Sequence, residues 1–321
     1  MNIWANFKNE KYLLINRIMQ TGSLSSPYIL TADIGGSHIT TAIYNANTRT
    51  ILRESMIRTG LVSKGPATGI LTSWSDVFLQ ILKDTGFSVA GLTVAMPGPF
   101  DYEKGISYIK GLNKYEALYG MNIKEFLAGL LKIPPQQVLF RNDAESAIAG
   151  EVLMGAGRGY SSVMGITLGT GFGSAFSLDK ITKDINLGSE PYKETIADDY
   201  LSTRWFLKRY HELTGLVLTD DVRELSALAA ESAVARGIFK EFAANMSEFL
   251  SAPLRHYQPE ALIICGNIAK AAEYFVPHFT GELNSLTIKL AQLGEDAPLI
   301  GAAAQFNDVP GWTHFDIATK L

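Results

Sequence analysis

The chain has 321 residues, of which 47% are hydrophobic and 19% are charged, and this length and composition predict two domains in a well-packed globular protein. The net charge of −4, without a basic cluster, argues against nucleic-acid binding, which needs concentrated Lys and Arg. The single cysteine, Cys265, excludes an internal disulfide and a cysteine-built zinc site, and it fits a reducing compartment.

Residues 1–27 form an N-terminal extension, for which we expect a short amphipathic helix over residues 1–20. Such a helix would pack against the protein or against another copy of it, so a homodimer stays open. The extension is too short for a helix-turn-helix DNA-binding domain, which needs several helices with their own core. It lacks the features of a signal peptide, and no run of the chain reaches the ~18 apolar residues of a membrane span. We therefore expect a cytoplasmic protein with no membrane partner.

The first half of the chain predicts strands and helices in alternation. Apolar, β-branched segments at 28–34, 38–45 and 50–57 predict strands. Apolar residues on one face predict a helix from about 70 to 84. A buried strand then stops at Pro97-Gly98-Pro99, a cluster of turn residues. Beyond it we predict a helix at 122–131, a strand at 136–143 and a helix that begins directly after Asp143.

The second half repeats this pattern. Residues 161–179 predict a strand, a glycine-rich turn and a second strand. Aligning Asp33 with Thr167 places IGGSHITTAI over LGTGFGSAFS, and the surrounding strands also repeat, so we predict an internal duplication of one α/β unit. The remaining chain predicts helices at 198–213 and about 220–256, then a strand, turn and helix at 261–275 and an apolar segment at 297–306.

Each half contains a glycine-rich turn, Gly35-Gly36 and Gly169-Thr170-Gly171, with two interpretations. One is a tight turn, since glycine accepts a positive φ at little cost. The other is a nest of bare backbone N–H groups that binds phosphates, with Asp33 holding a hydrated Mg²⁺ beside the first turn. Neither turn matches the Walker pattern, and each alone is a weak signal. Together, with Asp33 before one of them, they favour phosphate binding.

Six segments in chain order resemble the ROK family of sugar kinases, within the actin-like ATPase superfamily: DIGGSHITTAI, VAMPGPFD, RNDAESAIAGE, GITLGTGFGSAF, IICGNI and APLIGAA. The resemblance runs from about residue 28 to 306. It implies an α/β fold of two duplicated actin-like (ribonuclease H-like) domains, with ATP and sugar in the cleft between them. The smaller lobe would take residues 28–140 with a returning segment at about 300–321, and the larger lobe would take residues 141–299.

The resemblance also implies roles for individual residues. Asp143 would be the catalytic base, and Asp33 would be associated with Mg²⁺ through water. ATP would be contacted by residues of three segments: Asp33, Gly35, Gly36, Gly169, Thr170, Gly171, Gly266 and Asn267. The sugar would be contacted by four polar side chains: Asn113, Asn142, Glu190 and Asp198.

Asp143 also has two interpretations from its position alone. It ends a predicted strand and opens a helix, where a carboxylate can accept the proton of a hydroxyl that attacks a phosphoryl group. An aspartate at this position is equally common as an N-cap. The pattern as a whole favours the base.

The sequence departs from the family pattern after the second glycine turn. Lys193 stands in place of a family histidine, Asp198 is one methylene shorter than the family's glutamate, and the cysteines of the family's zinc site are missing. These changes alter which sugar hydroxyls can be paired, so the sugar stays unnamed. We expect an enzyme that needs ATP and Mg²⁺ but no zinc. Its substrate would be a hexose or hexose derivative, and it would be glucokinase-like or N-acetyl-amino-sugar-kinase-like.

Two other functions compete with this one. The first is a sugar-sensing binding protein of the same fold without significant catalysis. The second is an actin-like structural ATPase, which the set of Asn113, Asn142 and Glu190 disfavours because a filament needs no sugar pocket.

Overall fold

The computed structural model describes residues 26–219 and 221–308, so the helix predicted for residues 1–20 lies outside the described residues. Contacts divide the chain into two compact units. The first extends to Ser146 and includes the chain again from Pro298, and the second is Ala147–Ala297. Within the described residues, no helix combines the length and the apolar character that a membrane crossing requires.

The first unit is built on a five-stranded mixed sheet. The sheet consists of β1 (Tyr28–Ile34), β2 (His38–Asn45), β3 (Thr50–Gly60), β4 (Leu92–Met96) and β7 (Val138–Asn142). Two further strands, β5 (Phe100–Asp101) and β6 (Ile106–Ser107), form a separate two-stranded ribbon. The order across the sheet is β3-β2-β1-β4-β7. The pairs β3–β2 and β2–β1 are antiparallel, and the pairs β1–β4 and β4–β7 are parallel. Every residue of β4 is buried, as expected for a central parallel strand.

Two helices complete the core of this unit, and a third begins in it. They are α1 (Ala67–Thr85), α2 (Ile123–Leu131) and α3 (Asp143–Met154). The apolar face predicted for α1 is buried, with Trp74 and Phe78 fully enclosed among the side chains of the sheet. The helix ends at Gly86, whose left-handed backbone lets its N–H bond the Leu82 carbonyl.

The second unit repeats the sheet of the first. Its sheet consists of β8 (Ser162–Leu168), β9 (Phe172–Leu178), β10 (Ile181–Asp184), β13 (Ala261–Cys265) and β14 (Thr287–Leu290). Two further strands, β11 (Pro191–Tyr192) and β12 (Thr195–Ile196), form a separate two-stranded ribbon. The order is β10-β9-β8-β13-β14, with two antiparallel pairs followed by two parallel pairs. Strand order and direction match the first sheet at every position, and the predicted duplication is confirmed. Asp33 and Thr167 are each the next-to-last residue of the equivalent strands β1 and β8.

The remaining helices are α4 (Thr203–Thr214), α5 (Asp221–Ala229), α6 (Ala233–Tyr257), α7 (Ala272–Phe275), α8 (Gly281–Ser285) and α9 (Asp296–Ala303). The segment predicted to be helical over about 220–256 forms two helices, because Ser232 starts a new helix by accepting the N–H of Ala235. The helix predicted from residue 198 begins at Thr203, since Ala197–Asp199 form a short 3₁₀ turn instead.

An aromatic core fills the space between the sheet and the helices of the second unit. Trp205, Phe206 and Tyr210 lie on one face of α4 and are all buried, as the sequence predicts. Phe206 packs against Phe239 and Phe242 of α6, with ring centroids 5.3 and 4.6 Å apart. These contacts hold α4 and α6 on the same face of the sheet.

Candidate active site

The first glycine turn joins β1 to β2 without using the conformational freedom of glycine. Neither Gly35 nor Gly36 has a left-handed backbone. Gly35 donates its N–H to the His38 carbonyl at 2.9 Å, and the Tyr115 hydroxyl donates to the Gly35 carbonyl. A Cβ on Gly36 would lie 3.5 Å from Lys114 Cδ, which is an ordinary contact. The tight-turn interpretation, which depends on a positive φ, therefore does not explain the two glycines, and phosphate binding at this turn stays a prediction.

Asp33 and Asp143 are half-buried acids of the first unit that lie close enough to influence each other. Burial and, to a smaller extent, the charge of Asp143 raise the pKa of Asp33 to about 7, and the charge of Arg58 acts against this rise. Burial also raises the pKa of Asp143, while the backbone N–H of Ala144 and the ammonium of Lys114 act against it. The fold thus brings together two residues that were predicted separately from the sequence as site residues.

Asn142, and not Asp143, caps the N-terminus of α3. Its side-chain oxygen accepts the N–H of Glu145 at 3.0 Å, and its amide nitrogen donates to the Tyr102 hydroxyl at 3.2 Å. Asp143 is the first helical residue, and its carboxylate accepts the N–H of the adjacent Ala144 at 2.9 Å. The N-cap interpretation of Asp143 is therefore wrong, because β7 extends through Asn142 and leaves that residue in the cap position.

The loop after the ribbon β5–β6 brings Asn113, Lys114 and Tyr115 toward the first glycine turn. Asn113 and Tyr115 both have left-handed backbones, with φ of 58° and 56°. Tyr115 is fully buried, its ring lies edge-on to Trp74 at 5.5 Å, and burial raises the pKa of its hydroxyl. The buried ring fixes the hydroxyl that bonds the Gly35 carbonyl. The sequence does not reveal this contact, since positive φ at residues other than glycine has no reliable sequence signal.

The same loop lines a cavity of about 180 Å³ in the first unit. Its lining includes Asn113, Lys114, Glu116 and, from the segment before α1, Lys64. The backbone N–H of Asn113 donates to the Glu116 carboxylate at 2.9 Å, and the Asn113 side chain is exposed. The sugar contact that the resemblance implies for Asn113 stays a prediction.

The second glycine turn joins β8 to β9 and, like the first, is closed by a backbone hydrogen bond. The Gly169 N–H bonds the Gly171 carbonyl at 3.0 Å, and neither glycine is left-handed. Thr170 lies exposed between them. A Cβ on Gly169 would have no atom within 4 Å, so the fold itself does not require glycine there. The N–H groups of Thr170 and Gly171 take no part in the closing hydrogen bond and suit an anion.

Asp198 lies against the second turn, with both carboxylate oxygens bound by the chain itself. One oxygen accepts the Phe172 N–H at 2.5 Å, and the other accepts a hydrogen bond from the Arg204 guanidinium. Because Arg204 is in the first turn of α4, Asp198 ties that helix to the glycine turn. These contacts favour a supporting role, and the sugar contact of Asp198 stays a prediction.

Glu190 and Lys193 flank the start of the ribbon β11–β12. The Glu190 side chain is exposed. Lys193 turns toward α6, where its ammonium donates to the Asn245 side-chain oxygen at 2.6 Å and lies over the Tyr192 and Tyr200 rings at 5.1 and 5.5 Å. Lys193 therefore anchors the ribbon to α6, a role that the sequence did not indicate.

Gly266 and Asn267 follow β13. Gly266 has φ of 93°, and a Cβ there would lie 2.3 Å from the Leu168 carbonyl oxygen, so the fold alone requires glycine. Asn267 is exposed, and its side-chain oxygen accepts a hydrogen bond from Lys270 at 2.9 Å. The adenosine contact of both residues stays a prediction.

Asp33 is the residue whose chemistry best fits a magnesium ion. It is a half-buried carboxylate at the end of β1, beside a turn with bare N–H groups, and Mg²⁺ is usually held by one or two carboxylates together with water and phosphate oxygens. The described residues contain no group of three or more His, Cys, Asp or Glu side chains arranged to hold a metal. Cys265 is buried at the end of β13, where burial raises the pKa of its thiol. The absence of a zinc requirement stays a prediction.

The two five-stranded sheets have the same strand order, and in each sheet a glycine turn joins the first two strands along the chain. This is the actin-like ATPase fold. Residues 29–184 match the model of the ROK family, the family that the six sequence segments resemble.

Three relatives illustrate the likeness. A glucokinase of Thermotoga maritima is 22% identical over 317 residues, which cover 86% of this chain and 96% of that protein. A ROK family glucokinase from Streptomyces griseus, in complex with glucose and AMPPNP, has a TM-score of 0.70 at 21% identity over 87% of this chain and 98% of its own. An inorganic polyphosphate/ATP-glucomannokinase from Arthrobacter sp. strain KM has a TM-score of 0.65 at 24% identity, over 87% and 98%.

Proposed function

We propose that the protein is an ATP-dependent kinase of a hexose or hexose derivative. The match to the ROK family model and the names of the relatives support this proposal. The observation that carries it is the position of Asp143. Its carboxylate stands beside Asp33 and Lys114, and the helix that it opens is capped by its neighbour Asn142. A carboxylate that the helix does not need as a cap is available to accept a proton.

In this proposal, Asp143 accepts the proton of the attacking sugar hydroxyl while the new oxygen–phosphorus bond forms and the bond to the leaving oxygen breaks. Because burial raises its pKa, the Asp143 carboxylate is a stronger proton acceptor than an exposed aspartate. The Asn113, Asn142 and Glu190 side chains would orient sugar hydroxyls. Bound Mg²⁺ would neutralise charge on the ATP phosphates, and Asp33 would hold it through water.

The nucleotide would be bound by backbone groups as much as by side chains. The turns Gly35-Gly36 and Gly169-Thr170-Gly171 would lie against the phosphates. The N–H groups of Gly35 and Gly169 close the turns, and the other N–H groups of the two turns would bond phosphate oxygens, with the Thr170 hydroxyl as a further donor. Gly266 and Asn267 would contact adenosine. Asp198 would support the second turn, given its bond to the Phe172 N–H.

The replacement Asp143→Asn tests this proposal. ADP release is measured with Mg·ATP against hexoses, amino sugars and N-acetylated sugars, for the parent and for two variants. We expect the parent to phosphorylate at least one sugar, and Asp143→Asn to lower kcat by roughly 10²-fold or more while sugar and ATP still bind. Asp84→Asn, an exposed aspartate near the end of α1, is the matched control.

Two results would contradict the proposal. An Asp143→Asn variant within a few-fold of the parent would remove Asp143 as the base. A parent that binds a sugar without phosphorylating any member of the panel would make the protein a sugar-sensing binding protein.

A further inference from the structure

Lys114 is a half-buried cation that makes no direct contact with an anion in the described chain, although its charge acts on the Asp143 carboxylate from a greater distance. No hydrogen bond or ion pair joins its ammonium to another described residue. Other lysines are engaged, such as Lys124 with the Glu103 carbonyl at 2.7 Å and Lys270 with the Asn267 side chain at 2.9 Å. Withdrawing an ammonium from water costs free energy unless an anion or acceptor compensates it. A half-buried lysine whose ammonium makes no direct contact with an anion can bind a negatively charged ligand.

Its surroundings indicate which ligand. The Lys114 side chain passes beside Gly36, since an added Cβ on that glycine would lie 3.5 Å from Lys114 Cδ. The ammonium is near enough to Asp143 to act on its charge. The neighbouring Tyr115 holds the Gly35 carbonyl, so the loop and the turn form one assembly. Lys114 thus lies between a turn of bare N–H groups and the proposed base, and it also lines the adjacent cavity.

We propose that Lys114 is a catalytic residue whose ammonium binds the phosphoryl group that is transferred from ATP to the sugar. This proposal rests on the proposed kinase function. As the sugar oxygen bonds to phosphorus and the hydroxyl proton goes to Asp143, the bond to the leaving ADP oxygen breaks and ADP keeps the electron pair. The approaching phosphoryl group and the Asp143 carboxylate are both negative, and an ammonium between them lowers their repulsion.

Lys114→Met tests the proposal, because methionine keeps the length of the side chain and removes its charge. We expect Lys114→Met to lower kcat by roughly 10²-fold with the sugar KM within a few-fold, as is usual when one stabilising donor is removed. The affinity for Mg·AMPPNP, measured by calorimetry, should fall by about 10-fold, the scale of one hydrogen bond to a charged group. Lys114→Arg should restore much of both. Lys110→Met is the control, since exposed Lys110 belongs to the same loop and lies over the Tyr119 ring, 5.8 Å away.

The two measurements separate this proposal from the proposed function. If the parent binds AMPPNP but phosphorylates no sugar, the kinase proposal fails, and weaker AMPPNP binding in Lys114→Met alone would still support a phosphate contact. Equal AMPPNP affinity in Lys114→Met and Lys110→Met would overturn the Lys114 proposal. A parent that binds no AMPPNP would overturn both. An unchanged melting temperature of Lys114→Met establishes that the variant is folded.

Discussion

Asp33 combines burial with a nearby acid, and this makes the stability of the metal-free protein depend on pH. Its pKa is raised to about 7, whereas an unfolded aspartate titrates near 3.8. Between these values the folded protein holds a proton that the unfolded chain has lost. Stability from this group therefore falls as pH rises from about 4 to about 7, and the full penalty remains above pH 7.

We expect Asp33→Asn to stabilise the metal-free protein at pH 8 and to have little effect near pH 4. The gain at pH 8 should be at most about 4 kcal/mol, since the pKa differs by about three units and each unit corresponds to ~1.4 kcal/mol, and solvent screening lowers this maximum. The measurement is the urea midpoint at both pH values in the presence of a chelator, with Asp84→Asn as the control. A gain of the same size at pH 4 and pH 8 would mean that the charge of Asp33 is not the cause.

Two glycines that look alike in the sequence should respond differently to substitution. Gly36 has an ordinary backbone and room for a Cβ, so Gly36→Val should fold with a nearly unchanged melting temperature and lose nucleotide binding. Gly266 has a left-handed backbone and no room, so Gly266→Ala should lose roughly 1–3 kcal/mol of stability. Melting curves and AMPPNP titrations compare the two variants. Undiminished nucleotide binding by a folded Gly36→Val protein would reduce the first glycine turn to a simple connection.

At the scale of the element, the junction of β7 and α3 shows how one residue can serve both fold and site. Asn142 ends the strand, caps the helix and lies next to the proposed base. Asn142→Ala should cost about 1 kcal/mol, the usual value of an N-cap, whereas Asn142→Ser should keep the cap. If the Asn142 amide also binds sugar, both variants should raise the sugar KM about 10-fold. A normal KM in Asn142→Ser would leave Asn142 with the capping role alone.

This junction also shows where reasoning from the sequence reaches its limit. The strand and the helix are evident from their apolar patterns, but the sequence offered only Asp143, and not Asn142, as a cap of the helix. Which residue caps depends on how far β7 pairs along β4, where Met96 lies beside Asn142. That register is set by the packing of the whole sheet and is not encoded locally. The break between helices at Ser232 was also missed, because the residues on both sides of it favour helices.

At the scale of the molecule, the repeat of strand, glycine turn and strand was sufficient to predict the duplicated fold. The two acids of the site were selected one at a time, by resemblance. Lys114 and Tyr115 were not selected, because their positions depend on a loop with unusual backbone angles that places them beside a turn far away in the sequence. Contacts of this kind follow from tertiary structure, so they are the part of the site that sequence patterns miss.

The buried thiol of Cys265 gives the protein an internal reporter. The chain has one cysteine, which is the last residue of β13 and directly precedes Gly266. In the sheet it lies beside Thr167 of β8. A thiol reagent can modify Cys265 only when local unfolding exposes β13, so labelling reports on local unfolding of the second unit. Because the chain has a single cysteine, no other residue contributes to the labelling. The rate of labelling thus follows local unfolding of the duplicated half without any engineered probe, and a ligand that binds there would slow it.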